Sequence, residues 1–420
     1  MSKALGMRCV WSLCGVLASI WALASVARAE VSTDVSGSVL VFPKVIWTGI
    51  SNSVDIPVQL ARDTVIQISN TSNNMVHAHC FYVDARTVNG VPVWQVTDFT
   101  IWLTKQQPTH WVASQGRPVD PSDYFGTDGA GMDPGAIPPV AEGFQGELKC
   151  VQIDASGTPF GGNNLKGEEV IRSQTGDVSK ANAVAILANP DLAGGPPANV
   201  LTLDNTPLND GEYNSCPSTW MLNHYVDGTN DPVVEEHNSS WCQGFDDSGG
   251  ECPVRTYLTL VPCTEDFENS VPASVTVQFA IVNELEQIFS ASTTVTCWKN
   301  FRLADVDAPT GKCTRDGDTC TSDDQCIANN DGFCQKNSVF AVGTLGTGTA
   351  FTRVTPVDLD GGVLAYSEEV HFNAQISDST QLTNRAWAAW NPQETGNRYD
   401  DTSSLPGGPV VDQITIPQGF

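Results

Sequence analysis

The chain has 420 residues and carries 48 acidic against 21 basic side chains, a formal charge of −27. That imbalance excludes nucleic acid and anionic membrane surfaces as electrostatic partners. Gly and Pro are plentiful (36 and 25), Met is scarce (5), and Val, Thr and Ile gather in short runs, a composition of an all-β protein.

Residues 1–29 have the layout of a signal peptide. Lys3 and Arg8 form its charged start, an apolar run extends from Val10 to Val26, and Ala27-Arg28-Ala29 is a small-x-small cleavage site. Glu30 would open the mature chain, which is more acidic still because the leader takes three basic residues and no acidic one. Trp11-Ser12-Leu13 before Cys14 lacks the small residue a lipid-anchored leader needs. The expected location is therefore periplasmic, cell-surface or extracellular, with no lipid anchor. No later apolar stretch is long enough for a spanning helix, and Pro417 and Gly419 spoil the strand an outer-membrane barrel would place before Phe420.

Two weakly similar copies follow in order. The first opens with "SVLVFPKVIWTG" from Ser38 and the second with "STWMLNHYVDG" from Ser218. "TVIQIS" from Thr64 matches "TYLTLV" from Thr256, and "VHAHCFYVD" from Val76 matches "VTVQFAIVN" from Val275. Phe99 and Trp111 match Phe289 and Phe301 at equal spacing. Short strands with turn signals at this spacing predict two tandem immunoglobulin-like β-sandwich domains, 30–206 and 207–420.

Strand alternation assigns faces in the third match. Val76, Ala78, Cys80 and Tyr82 share the face of Val275, Val277, Phe279 and Ile281, a core face. His77 and His79 fall on the face of Thr276 and Gln278, which reads as solvated or sheet-edge surface. An H-x-H pair holds a metal loosely at best, because no third or fourth ligand is nameable.

Two insertions carry unusual chemistry. The stretch 227–253 is acidic (Asp231, Glu235, Glu236, Asp246, Asp247, Glu251) without Lys or Arg. The stretch 305–337 holds Cys313, Cys320, Cys326 and Cys334, expected to close two local disulfides, with their pairing left open. Thirteen cysteines less Cys9 and Cys14 of the leader leave an odd number. Strands from Ser218 and Thr256 read as a hairpin, placing Cys216 opposite Cys263, with Cys242 and Cys252 closing the tip between them. Cys80, pointing inward, is expected to bond Cys150. Cys297 is left over, read as a buried free thiol in preference to a link to a second chain.

The opening "SVLVFP…TVIQISNTSN…HCFYV", Ser38 to Asp84, resembles a loose group of exported bacterial proteins. That resemblance implies an extracytoplasmic β-sandwich and no activity. Ala78-His79-Cys80 and Asp247-Ser248-Gly249-Gly250 also resemble the histidine and nucleophile motifs of trypsin-like proteases, which would make His79 the base and Ser248 the nucleophile. The departures are serious. Asp246 stands where that family has an oxyanion-hole glycine, and neither an "IVGG" start nor a "D-I-A-L" aspartate is present.

Calcium is the remaining cofactor candidate. EF-hand spacing fails, leaving an irregular set of Asp316, Asp318, Asp323 and Asp324. Trp94, Trp102 and Trp111 belong to the first copy as sandwich-core candidates, while Trp387 and Trp390 face opposite ways in one strand, leaving one as a contact candidate. The sequence thus predicts an exported, non-enzymatic structural or adhesive protein, whose partners would be other surface proteins or polysaccharide. A secreted hydrolase and a calcium- or carbohydrate-binding module are the alternatives.

Overall fold

The computed structural model describes residues 31–49, 61–88, 91–119, 132–173, 178–188, 199–204, 213–231, 253–329, 331–357, 361–372, 385–398 and 412–417. Residues 1–30, most of the acidic insertion, Ser248, Cys242 and Cys252 lie outside them.

The protein is all-β. In the N-terminal half one sheet runs Val31–Ser32, Val184–Ile186, Val39–Thr48, Gln145–Ile153, Val76–Asp84, Gln95–Leu103. The other runs Val178–Asn182, Leu165–Ser173, Arg62–Asn70, Pro108–Val112. Arg62–Asn70 shows the cause in miniature: Thr64, Ile66, Ile68 and Asn70 are buried and their neighbours half-exposed, a period of two. The Val39–Thr48 strand joins both sheets. Pro43 has no N–H to give the ladder, the register shifts between Phe42 and Val45, and Trp47 and Thr48 then pair with Asp63 and Arg62. Leu40, Phe42, Ile66, Ile68, Cys80, Tyr82 and Trp111 fill the space between the sheets. Cys80 and Cys150 sit directly opposite in adjacent strands and are joined.

The C-terminal half has a five-stranded sheet, ordered Ile288–Thr296, Ser274–Asn283, Thr349–Pro356, Pro217–Tyr225, Gln393–Asn397. Facing it are Lys299–Arg302, Val254–Pro262, Val363–Phe372 and Arg385–Trp390. This overturns the expected hairpin. Pro217–Tyr225 and Val254–Pro262 lie in different sheets, and the Cys216–Cys263 bond crosses between them with Cα atoms 6.6 Å apart. Among the described residues between them, Asn230 and Pro253 form a bridge. A third, short sheet places Asp412–Thr415 between Val200–Leu203 and Glu265–Asp266.

The hydrophobic interior is continuous from one half to the other. Val41, Phe81, Val83, Val151 and Ile186, on the outer face of the first sheet, belong to one cluster with Phe267, Trp220, Leu260, Phe279 and Ile414. Phe81 stacks on Phe267 with ring centres 4.4 Å apart, and Trp298 donates its indole N–H to the Pro43 carbonyl at 2.7 Å. The insertion at 305–337 folds as three short strands and one helix, Asp323–Ala328, around crossed disulfides Cys313–Cys326 and Cys320–Cys334. No helix among the described residues is long and apolar enough to cross a membrane.

Candidate functional site

The expected solvated histidine face is instead buried. His79 is fully covered and His77 is 9% exposed; their described partners, Trp102, Asp154, Asp98 and Phe81, are all in the N-terminal half, while Phe81 and Val83 on the same strand face pack in the cluster shared with the C-terminal half. His79 Nε2 lies 3.0 Å from Asp98 Oδ2, and the His77 ring stacks on Trp102 at 3.6 Å. His77 Nδ1 donates to the Asp154 carbonyl at 3.3 Å. Burial pulls both imidazoles below their ordinary pKa, against the pull of Asp98 on His79 and of the Asp154 carbonyl on His77. Fully covered, the His79 ring offers no open face to a substrate carbonyl.

The expected calcium quartet is not brought together. Asp323 is 5% exposed and held by Arg255 through Nε and Nη2, both at 3.1 Å, and by Arg302 at 3.4 Å. Burial would raise its carboxyl, but the two guanidiniums hold it to about 2. Asp227 completes this clamp from the sandwich side, so the insertion is anchored by charge as well as by disulfides. Asp324 lies one residue further along the helix, apart from Asp316 and Asp318. Asp316 and Asp318 gather instead with Asp331, around a turn in which the Asp318 N–H donates to Asp316 Oδ1 at 2.9 Å.

Cys297 is 1% exposed and unbonded. Burial, with Glu265 and Glu147 nearby, pushes its thiol up to about 12. Trp111 is buried and Trp102 half-buried. Trp94 packs half-buried on the central cluster that spans both halves. Trp390 is half-buried, and the side chain of Trp387 lies outside the described residues.

The surface the sequence did not single out is the outward face of the five-stranded sheet. Here the period of two leaves Ser274, Thr276, Gln278 and Ala280 outward beside Ser290, Ser292, Thr294 and Thr296. Thr219 and Thr355 continue the array. Hydroxyls pair across strands: Ser274 with Thr296 at 3.1 Å, Thr276 with Thr294 at 3.4 Å and Thr219 with Thr355 at 3.3 Å. Among the described outward positions of these strands, Arg353 is the one charged side chain.

At one end the face opens into a groove of about 450 Å³ lined by Asn223, Tyr225, Val282, Glu284, Thr349 and Phe351, with His224 and Glu369 at its floor. Asn223, Phe351 and Val282 form one row across three strands, continued by Ile288, which is 75% exposed. Glu284 accepts from the Thr349 N–H and hydroxyl, both at 2.8 Å. Behind the groove His371 lies between Asp231, at 2.8 Å, and Glu369, at 3.4 Å; the Glu369 contact first, then Asp231, raises its pKa against the effect of burial. The signal for this face was in the sequence: in the strand pair from Ser274 to Thr296, hydroxyls and an amide hold most outward positions, with Ala280, Val282 and Ile288 at one end and no Lys or Arg. No protein-family model matches the chain, and a search of curated proteins finds no relative.

Proposed function

We propose that this is an exported, non-enzymatic adhesive protein that binds uncharged polysaccharide along the outward face of its five-stranded sheet. The observation that carries the reading is one nearly uncharged, hydroxyl-lined sheet face, ending in a groove with Tyr225 and Phe351, on a chain whose formal charge is −27. Aromatic rings offer flat apolar surface to sugar rings, and the flanking amide, hydroxyls and carboxylates of Asn223, Thr349, Glu284 and Glu369 suit sugar hydroxyls. Four disulfides among the described residues fit an oxidising compartment. The hydrolase reading lacks an accessible base, since His79 is fully covered.

Retention on insoluble neutral polysaccharides, scored by pull-down, tests this. Wild type should bind, and Phe351→Ala with Tyr225→Ala should lose on the order of tenfold or more in affinity while melting as wild type does. Absence of binding across neutral polysaccharides, or binding indifferent to both substitutions, would overturn it.

A further inference from the structure

We propose that Lys44 and Asn300 become joined by an intramolecular amide bond that links the two halves of the molecule covalently. Lys44 Nζ lies 3.4 Å from Asn300 Oδ1 and contacts Glu368 Oε2. Thr259, the strand partner of Asn300, donates its hydroxyl to the same Oδ1 at 3.1 Å. Lys44 is 2% exposed and Glu368 fully covered. A nucleophile carrying its own carboxylate and a donor polarising the carbonyl thus meet at one carboxamide; Lys44 and Glu368 are shielded from water, and Asn300 is half-buried.

The chemistry balances without another reagent. Glu368, a weak base because Lys44 and Arg62 hold its carboxyl at about 2 against burial, relays a proton from the Lys44 ammonium toward the departing nitrogen, and the freed amine attacks Asn300 Cγ. The Thr259 hydroxyl stabilises charge developing on Oδ1. The Nζ–Cγ bond forms, the Cγ–Nδ2 bond breaks, and the departing nitrogen takes up the protons shed by Nζ and leaves as ammonium. Burial favours the required neutral amine, pulling the Lys44 pKa down although Glu368 opposes it. Once Lys44 loses its charge, Glu368 is not stranded. Arg62 Nη2 at 3.2 Å, Ser179 Oγ at 2.9 Å and Tyr366 OH at 3.3 Å all donate to its other oxygen, Oε1. That is more support than a simple ion pair requires.

A second buried lysine is a control within the same protein. Lys149 meets Glu147, Glu265 and the Pro262 carbonyl, none of them a carboxamide, and the two carboxylates raise its pKa against burial.

The test is the intact mass of the full exported chain, reduced and denatured, followed by a peptide map. The expected result is a chain lighter by one ammonia, tryptic cleavage lost after Lys44, and a branched peptide containing residues 44 and 300. Lys149 should be unmodified. Asn300→Ala and Glu368→Gln should each restore the full mass. If a variant fails to fold, the wild-type chain alone still decides. Wild type at full mass with linear peptides bearing intact Lys44 and Asn300 overturns the proposal, as does an ammonia loss mapped to any other residue. Neither outcome bears on polysaccharide binding.

Discussion

The strands Val76–Asp84 and Ser274–Asn283 follow the same alternating pattern and have the same inner face. Val76, Ala78, Cys80 and Tyr82 are buried in one, Val275, Val277, Phe279 and Ile281 in the other. Their second faces have opposite fates. His77, His79, Phe81 and Val83 are buried, the last two in a cluster shared with the C-terminal half, whereas Gln278 and Ala280 are exposed and Thr276 and Val282 half-exposed. Alternation identifies the face a strand turns toward its own core. Whether the other face is wet depends on a distant part of the chain, here Phe267 and its neighbours.

The largest effect should come from the position where the two strands differ most. Phe81→Ala removes a fully buried, stacked ring and should cost about 3–5 kcal/mol by denaturant unfolding. At the matching outward position, Ala280→Leu should stay within about 0.5 kcal/mol. Equal costs at both positions would mean that the halves do not pack as described.

Acid should act next. In the folded chain His79 holds its proton less tightly than at the ordinary value of 6.5, because burial disfavours the cation. The unfolded chain therefore binds more protons as pH drops through that value, and stability is lost on acidification. His77 and His224 share this sign, while His371, raised by Glu369 and Asp231, contributes stability at low pH that is lost as pH rises through its folded value. Because these oppose one another, the informative quantity is a difference. The fall in melting temperature between pH 7 and pH 5 should be shallower in His79→Gln than in wild type, and identical slopes would contradict the buried neutral ring. The smallest effect belongs to Gln278→His, which transplants the histidine to the exposed face. Its stability change should stay within about 0.5 kcal/mol, and its imidazole should titrate near the ordinary value by NMR, unlike His79.

Much of the architecture was legible because it rests on short-range pattern. Runs such as Val275 to Ile281 declare their inner face, and the density of β-branched residues declares the class. The bond between Cys216 and Cys263 was legible for the wrong reason. Two strands can bring their ends together either as a hairpin or as facing members of two sheets, and alternation does not distinguish the two. The buried charges were harder still. Lys44 in "VLVFPKVIW" and Lys149 in "GELKCVQI" stand out as single cations, yet Glu368, and the Glu265 that joins the local Glu147 on Lys149, come from the other half of the chain. Asp323 looked like a cation ligand because its neighbours are acidic; Arg255 and Arg302, distant or separated by a whole loop, claim it instead.

The short sheet that holds Asp412–Thr415 sets an order of events for a newly made chain. Leu201 meets Ile414 across about half the sequence, and Ile414 and Ile416, both fully covered, help close the central cluster. Contacts of such long range form late, since the entropy of closing the loop is lost before the contact repays it. Until residues 412–416 arrive, Val200–Leu203 and Glu265–Asp266 each keep an unpaired edge beside an unsealed apolar cluster. That interval is when wrong strand pairing threatens most, and its length is governed by how fast these few late residues find their place between two strands already waiting.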